Sequence, residues 1–122
     1  MRILFDHVAV NVESIAASVE WYRATIGATV LYQDETWAFL EAGGVRIALT
    51  LRKQHPAHIA FDIGPNPPEE FLKKAKTHRD GSISQYIVDP DGNAIELIHF
   101  PPNALESVRR GRTGKETGNS AR

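Results

Sequence analysis

Cysteine is absent from the 122-residue chain, which excludes a disulfide scaffold, a thiolate metal site, a cysteine nucleophile and a thiol switch. An excess of one charge is missing as well. Lys and Arg number 14 against 15 Asp and Glu, a net charge of −1, so there is no basic field to attract nucleic acid. No apolar run approaches the roughly 18 residues that a membrane span needs. Met1–Phe5 is too short for a signal peptide. The chain also lacks a Gly-rich phosphate loop, a G-x-S-x-G elbow and an H-E-x-x-H helix. A cytoplasmic protein without a nucleic-acid or membrane partner is expected. What is present is an ordinary globular balance of 42% hydrophobic and 24% charged residues, in a length that fits one domain.

Charge is unevenly placed along that length. From Pro101 onward, five cations (Arg109, Arg110, Arg112, Lys115 and Arg122) stand against Glu106 and Glu116, a net +3, which leaves −4 on the rest. The last residues read GRTGKETGNSAR, without periodicity and almost without apolar side chains. One domain over residues 1–103 followed by a basic polar tail over 104–122 is the expected organisation.

The domain holds an internal repeat. Residues 6–12 read Asp-His-Val-Ala-Val-Asn-Val and residues 57–63 read Ala-His-Ile-Ala-Phe-Asp-Ile. Each alternates with period 2 and so predicts a strand with two unlike faces. Val8, Val10 and Val12, and in the second copy Ile59, Phe61 and Ile63, form faces expected to pack on helices. His7, Ala9 and Asn11, and likewise His58, Ala60 and Asp62, form faces suited to a cavity wall. Ser14 is an expected N-cap, followed by Ile15, Val19, Tyr22 and Ile26 at helical spacing until Gly27 ends the helix. Strands are expected over 28–33, 36–42 and 45–52, with Asp34-Glu35 and Gly43-Gly44 as the turns. In the second copy Asn66 is the expected N-cap, with Pro67 in the first helical position. A vestigial strand falls within Lys76–Arg79, and strands over 82–88 and 93–99 flank Asp-Pro-Asp-Gly. The unit is βαβββ, present twice, with module 1 over about 3–52 and module 2 over about 57–100.

Two βαβββ modules, a His near the start of each, and a Glu within DPDGNAIEL resemble the vicinal oxygen chelate superfamily. That superfamily comprises glyoxalase I, methylmalonyl-CoA epimerase, extradiol dioxygenases, fosfomycin-resistance and bleomycin-binding proteins. The resemblance implies an α+β fold in which the paired modules form a cup-shaped mixed sheet, helices lie on the outer face, and metal ligands project inward.

His7, His58 and Glu96 each sit on the polar side of a strand's alternation. A carboxylate within an apolar strand is costly unless paired or bound to a cation. Two imidazoles and one carboxylate form a facial triad that leaves positions open for substrate. The expected cofactor is one divalent ion, Fe(II) first, with Mn, Zn or Ni also suited to these ligands. Aligning Gly92–Glu96 with Gly44–Ala48 places Ala48 where glyoxalase I and the epimerase carry a further ligand, so a three-ligand site is expected. Such a site is more like that of the extradiol dioxygenases and the fosfomycin thiol transferases.

His78, Tyr86, Asp89, Pro90, Gly92 and Glu96 follow the order of an extradiol dioxygenase segment. The resemblance implies catalytic roles for Tyr86 and His78, and Asn11, Thr50 and Lys76 are the expected substrate contacts. The fosfomycin transferases share the triad and a Lys upstream of the Tyr, as Lys76 and Tyr86 stand here. They usually carry a Thr where this chain has Ala9, and a Ser in the anion-binding loop where it has Asp80. A carboxylate there would repel a phosphonate. Extradiol-like oxygen chemistry on a small substrate is therefore placed first. A lyase, epimerase or thiol transferase with the same metal comes second, and a metal-free antibiotic-binding protein, with Trp37 and Phe39 lining its cavity, third. Exposed sheet edges lead to the expectation of a homodimer.

Overall fold

Residues 3–78 and 80–104 are described in the computed structural model; beyond Ala104 the expected basic tail lies outside the described residues. The first module runs β1 (Leu4–Val12), α1 (Ile15–Ile26), β2 (Thr29–Gln33), β3 (Trp37–Ala42) and β4 (Val45–Leu51). The second runs β5 (His58–Asp62), α2 (Glu69–Lys74), β6 (Lys76–Thr77), β7 (Ile83–Val88) and β8 (Ala94–His99). All eight strands join in one mixed sheet of order β2-β3-β4-β1-β5-β8-β7-β6. Each half has its leading strand at the centre, parallel to the last strand of the same half. The halves meet where β1 and β5 pair antiparallel, so both modules are joined within one chain.

Local sequence explains the first module closely. Ser14 caps α1 by accepting from the Ala17 N–H at 3.2 Å. Gly27 ends it at φ 71°, a left-handed conformation that glycine adopts without a Cβ penalty. Ile15 and Val19 on the inner face of α1 are buried with Ala38, Leu40 and Leu49, and Val10 and Val12 pack against the same cluster. Each large side chain buried this way contributes about 1.5–3 kcal/mol.

The second module departs from expectation at its helix. Asn66 does not cap α2, and Pro67 is not its first residue; the helix begins at Glu69 with Pro68 in the capping position and no side-chain cap. The cause lies in the paired prolines. A residue preceding proline is driven from the helical region, so Pro68 keeps Pro67 out of the helix, and with Pro68 itself extended the first turn is delayed to Glu69. The resulting six-residue helix covers little of its sheet. Ile63 and Phe71 are buried, but Ile59 is left 42% exposed on the face expected to lie beneath a helix. The vestigial strand is real and only two residues long.

On the sheet face away from α1, His7, Ala9, Ala48, Ala60 and Glu96 are buried with at most 1% exposure. The turn between β2 and β3 shapes the rim of that face. Asp34 accepts from the Tyr32 hydroxyl, the Thr36 N–H and hydroxyl, and the Trp37 N–H, at 2.6–2.9 Å. Burial alone would push this carboxyl up, but those four hydrogen bonds outweigh it and hold the pKa down at about 2, against a usual 3.8. Because the folded value is the lower one, the ionised Asp34 stabilises the fold above about pH 3.8, and the contribution fades as pH falls towards 2. Urea denaturation should therefore find Asp34→Asn less stable than wild type at neutral pH. The gap should narrow as the pH is lowered through this window; a constant gap would show that the charge of Asp34 is not involved.

Candidate metal centre

Three strands deliver the centre. His7 comes from β1, His58 from β5 and Glu96 from β8, where Glu96 lies in register with Ala60. His7 Nε2 and His58 Nε2 are 3.4 Å apart, and Glu96 Oε1 is 3.5 Å from the first and 3.4 Å from the second. His58 is 6% exposed and the other two are fully buried.

Hydrogen bonds on the far side of each ring decide what these atoms offer. His7 Nδ1 lies 2.7 Å from Asp6 Oδ2, and His58 Nδ1 lies 2.7 Å from the Pro56 carbonyl oxygen. Both partners only accept, so both Nδ1 atoms carry the proton, a tautomer assigned from these partners. Each Nε2 then turns a lone pair toward Glu96 Oε1, itself an acceptor when ionised. Three lone-pair atoms facing one another at 3.4–3.5 Å are the donor set of one cation about 2.0–2.2 Å from each. The residues fit a divalent ion.

A cavity of about 420 Å³ adjoins the cluster, lined by Thr36, Trp37, Ala48, Thr50, His55, His58, His78 and Tyr86 among others. Ala48 pairs with Ala9 in the first half at the register where Glu96 pairs with Ala60 in the second. A methyl group thus replaces a fourth ligand and leaves space. Tyr86 pairs across the sheet with Glu96. Its hydroxyl is 3.4 Å from His58 Nδ1 and 3.2 Å from His55 Nδ1. His78 shares a 2.6 Å hydrogen bond with the Ser84 hydroxyl.

The structure thus gathers His7, His58 and Glu96 at one point, with Tyr86, His78 and Thr50 on the adjoining wall. Two expected substrate contacts lie elsewhere. Asn11 donates to Thr50 Oγ1 at 3.0 Å and to the His55 carbonyl at 2.9 Å, which ties the linker between modules to β1 and β4. Lys76 is exposed and Thr77, not Lys76, lines the cavity, because successive strand residues point to opposite faces. Asp80 is buried and turned inward, accepting from the Ser82 N–H at 2.8 Å and hydroxyl at 2.6 Å. Two residues of the site escaped sequence reasoning. His55 lies in a linker without periodicity, and Asp6 falls on the wrong side of a regular alternation.

Residues 4–65 match the model of the glyoxalase/bleomycin resistance protein/dioxygenase superfamily. The chain is 34% identical to a protein of Staphylococcus haemolyticus (strain JCSC1435) named metallothiol transferase FosB, over 75% of this chain and 80% of the relative. It is 35% identical to one of the same name from Staphylococcus epidermidis, with the same coverage. Among solved structures, methylmalonyl-CoA epimerase from Mycobacterium tuberculosis superposes with TM-score 0.61 at 18% identity, over 80% of this chain and 88% of that one. A hypothetical protein, BH1468 from Bacillus halodurans C-125, reaches TM-score 0.63 at 16% identity, over 81% and 95%. These two show a shared fold.

The donor set makes a direct prediction. Zn(II) or Mn(II) should raise the unfolding free energy of wild type by about 2.7 kcal/mol at a free-ion concentration about a hundred times Kd. Glu96→Ala should show little of this gain. Equilibrium dialysis that finds no divalent ion bound to wild type at micromolar concentrations would remove the basis for a metal centre.

Proposed function

Because the chain belongs to the glyoxalase/bleomycin resistance protein/dioxygenase superfamily, we propose that it is a divalent-metal-dependent enzyme acting on a small substrate that chelates through two oxygens. The observation that carries this reading is the convergence of His7 Nε2, His58 Nε2 and Glu96 Oε1 within 3.5 Å beside an open cavity. Fe(II) is favoured as the ion, and Mn, Zn and Ni suit the same ligands. A bound ion would supply Lewis acidity and open coordination positions.

The remaining chemistry falls to the cavity wall. The Tyr86 hydroxyl can hold a proton near the ligand His58, while His78 and His55 are imidazoles able to exchange protons near neutral pH. This set supports extradiol-type cleavage of a catechol as the first reaction to test, since that chemistry needs a proton donor and acceptor beside a chelated diol. Thiol transfer is the second, favoured by the name that relatives of 34–35% identity carry. Against it stand Ala9 and the exposed Lys76. Metal-free ligand binding, the non-enzymatic alternative, leaves the buried triad without a purpose.

With Fe(II) loaded anaerobically, a catechol panel should give oxygen uptake, whereas a thiol supplied with fosfomycin should give little thiol loss. Tyr86→Phe and His78→Ala should each slow turnover by about 10²-fold or more while metal content stays constant. No oxygen consumption from a broad panel at full Fe(II) occupancy would sink the extradiol reading, and thiol loss would replace it with transfer.

A homodimer belongs to the same reading. Phe5, Ile59 and Ile87 remain 50%, 42% and 40% exposed on the sheet face that the short α2 leaves open, and contiguous apolar surface of this kind favours association. Light scattering should return twice the chain mass; a monomer at working concentration would refute pairing.

A further inference from the structure

Asp6 is a carboxylate enclosed in the sheet at 6% exposure, and the triad as described does not by itself require one there. In a regular strand Asp6 and His7 would point to opposite faces. Here the register of β1 against β5 slips between Phe5 and His7, where Phe5 pairs with Phe61 and His7 with Ala60, so Asp6 is an extra residue. Such a bulge re-aims side chains. It brings Asp6 Oδ2 to 2.7 Å from His7 Nδ1.

His58 shows that a charge is not needed to orient a ligand imidazole, because its Nδ1 is held at the same 2.7 Å by a neutral carbonyl. A buried carboxylate is the more costly solution. Both rings face the same competitor, since Glu96 Oε1 lies 3.5 Å from His7 Nε2 and 3.4 Å from His58 Nε2, and at His7 a charge is set against it to keep the proton on Nδ1. Were that proton on Nε2, it would point at Glu96 Oε1, 3.5 Å away, and two ligand atoms would be spent on each other. A full negative charge at shorter range on the opposite nitrogen favours the other tautomer.

We propose that Asp6 is a positioning residue that holds the proton of His7 on Nδ1 and keeps the Nε2 lone pair directed at the centre. The inference rests on the metal reading of the triad. Carboxylate partners of ligand histidines typically change metal affinity by about 10–100-fold when removed.

The test measures Zn(II) and Mn(II) affinity of the full chain by competition with a chromophoric chelator, alongside thermal melting of the metal-free protein. Asp6→Asn, close to isosteric, should bind about 10–100-fold more weakly, with melting of the metal-free form unchanged. Asp6→Glu, which keeps the charge, should rank between the two. Equal binding by wild type and Asp6→Asn would overturn this inference alone. So would a loss of affinity accompanied by a matching fall in metal-free melting, which would mark Asp6 as structural. Failure of wild type to bind either ion would overturn the metal reading and this inference with it.

Discussion

Everything distinctive about this molecule depends on the antiparallel seam between β1 and β5. Val8 pairs with Ile59 and Ala9 with His58 across it, and this register sets His7 and His58 with ring centres 5.4 Å apart. A slip of one residue would send every side chain of one strand to the other face, parting the two imidazoles and placing valines in the cavity. The register is held by the apolar sides of the same strands: Val10 and Val12 pack toward α1, and Phe5 meets Phe61 edge to face. Hydrophobic packing on one face thus fixes polar geometry on the other.

The duplicated halves have diverged in complementary ways. In the second, the strand parallel to the leading strand carries Glu96; in the first, the matching position carries Ala48. One half closes the ligand set and the other opens the cavity next to it. Ala9 and Ala60, both buried, keep the space between the imidazoles clear of bulk. Phe39 packs edge-on against His7 with centroids 5.8 Å apart, and Tyr86 does the same to His58 at 5.0 Å. The rings are therefore fixed by packing as well as by their Nδ1 partners, which lowers the cost of arranging three ligands around an ion.

Divergence also shows on the opposite face. α1 has both caps and buries Ile15 and Val19, whereas α2 is delayed by two prolines and buries Phe71. The second half compensates through turn chemistry. Asp89 accepts from the Asp91 and Asn93 N–H groups and the Asn93 side-chain amide at 2.8–2.9 Å, which locks the β7–β8 turn; the Asn93 hydrogen bonds foremost hold the Asp89 carboxyl below its usual range. Gly81, at φ 90°, packs so closely on Ala104 that an added Cβ would lie 3.0 Å from its Cα. These two devices hold the hairpin that presents Tyr86 and Glu96.

Much of this was legible in the chain itself, because it follows from local periodicity. Alternation determined the strands, their faces and the placing of His7, His58 and Glu96 on polar sides. Ser14 and Gly27 determined the ends of α1, and the repeat determined which strands correspond. Tertiary structure decided what periodicity cannot express. A bulge reverses the side on which a residue lies, and only the pairing of β1 with β5 sets Asp6 beside His7. His55 belongs to a linker, and only the packing of the two halves carries it to Tyr86. Lys76 stands at a compatible separation from Tyr86 along the chain, yet the pleat turns it outward and gives its place on the wall to Thr77. Distance along a strand fixes a side; distance between strands depends on register, and register is settled by the whole sheet at once.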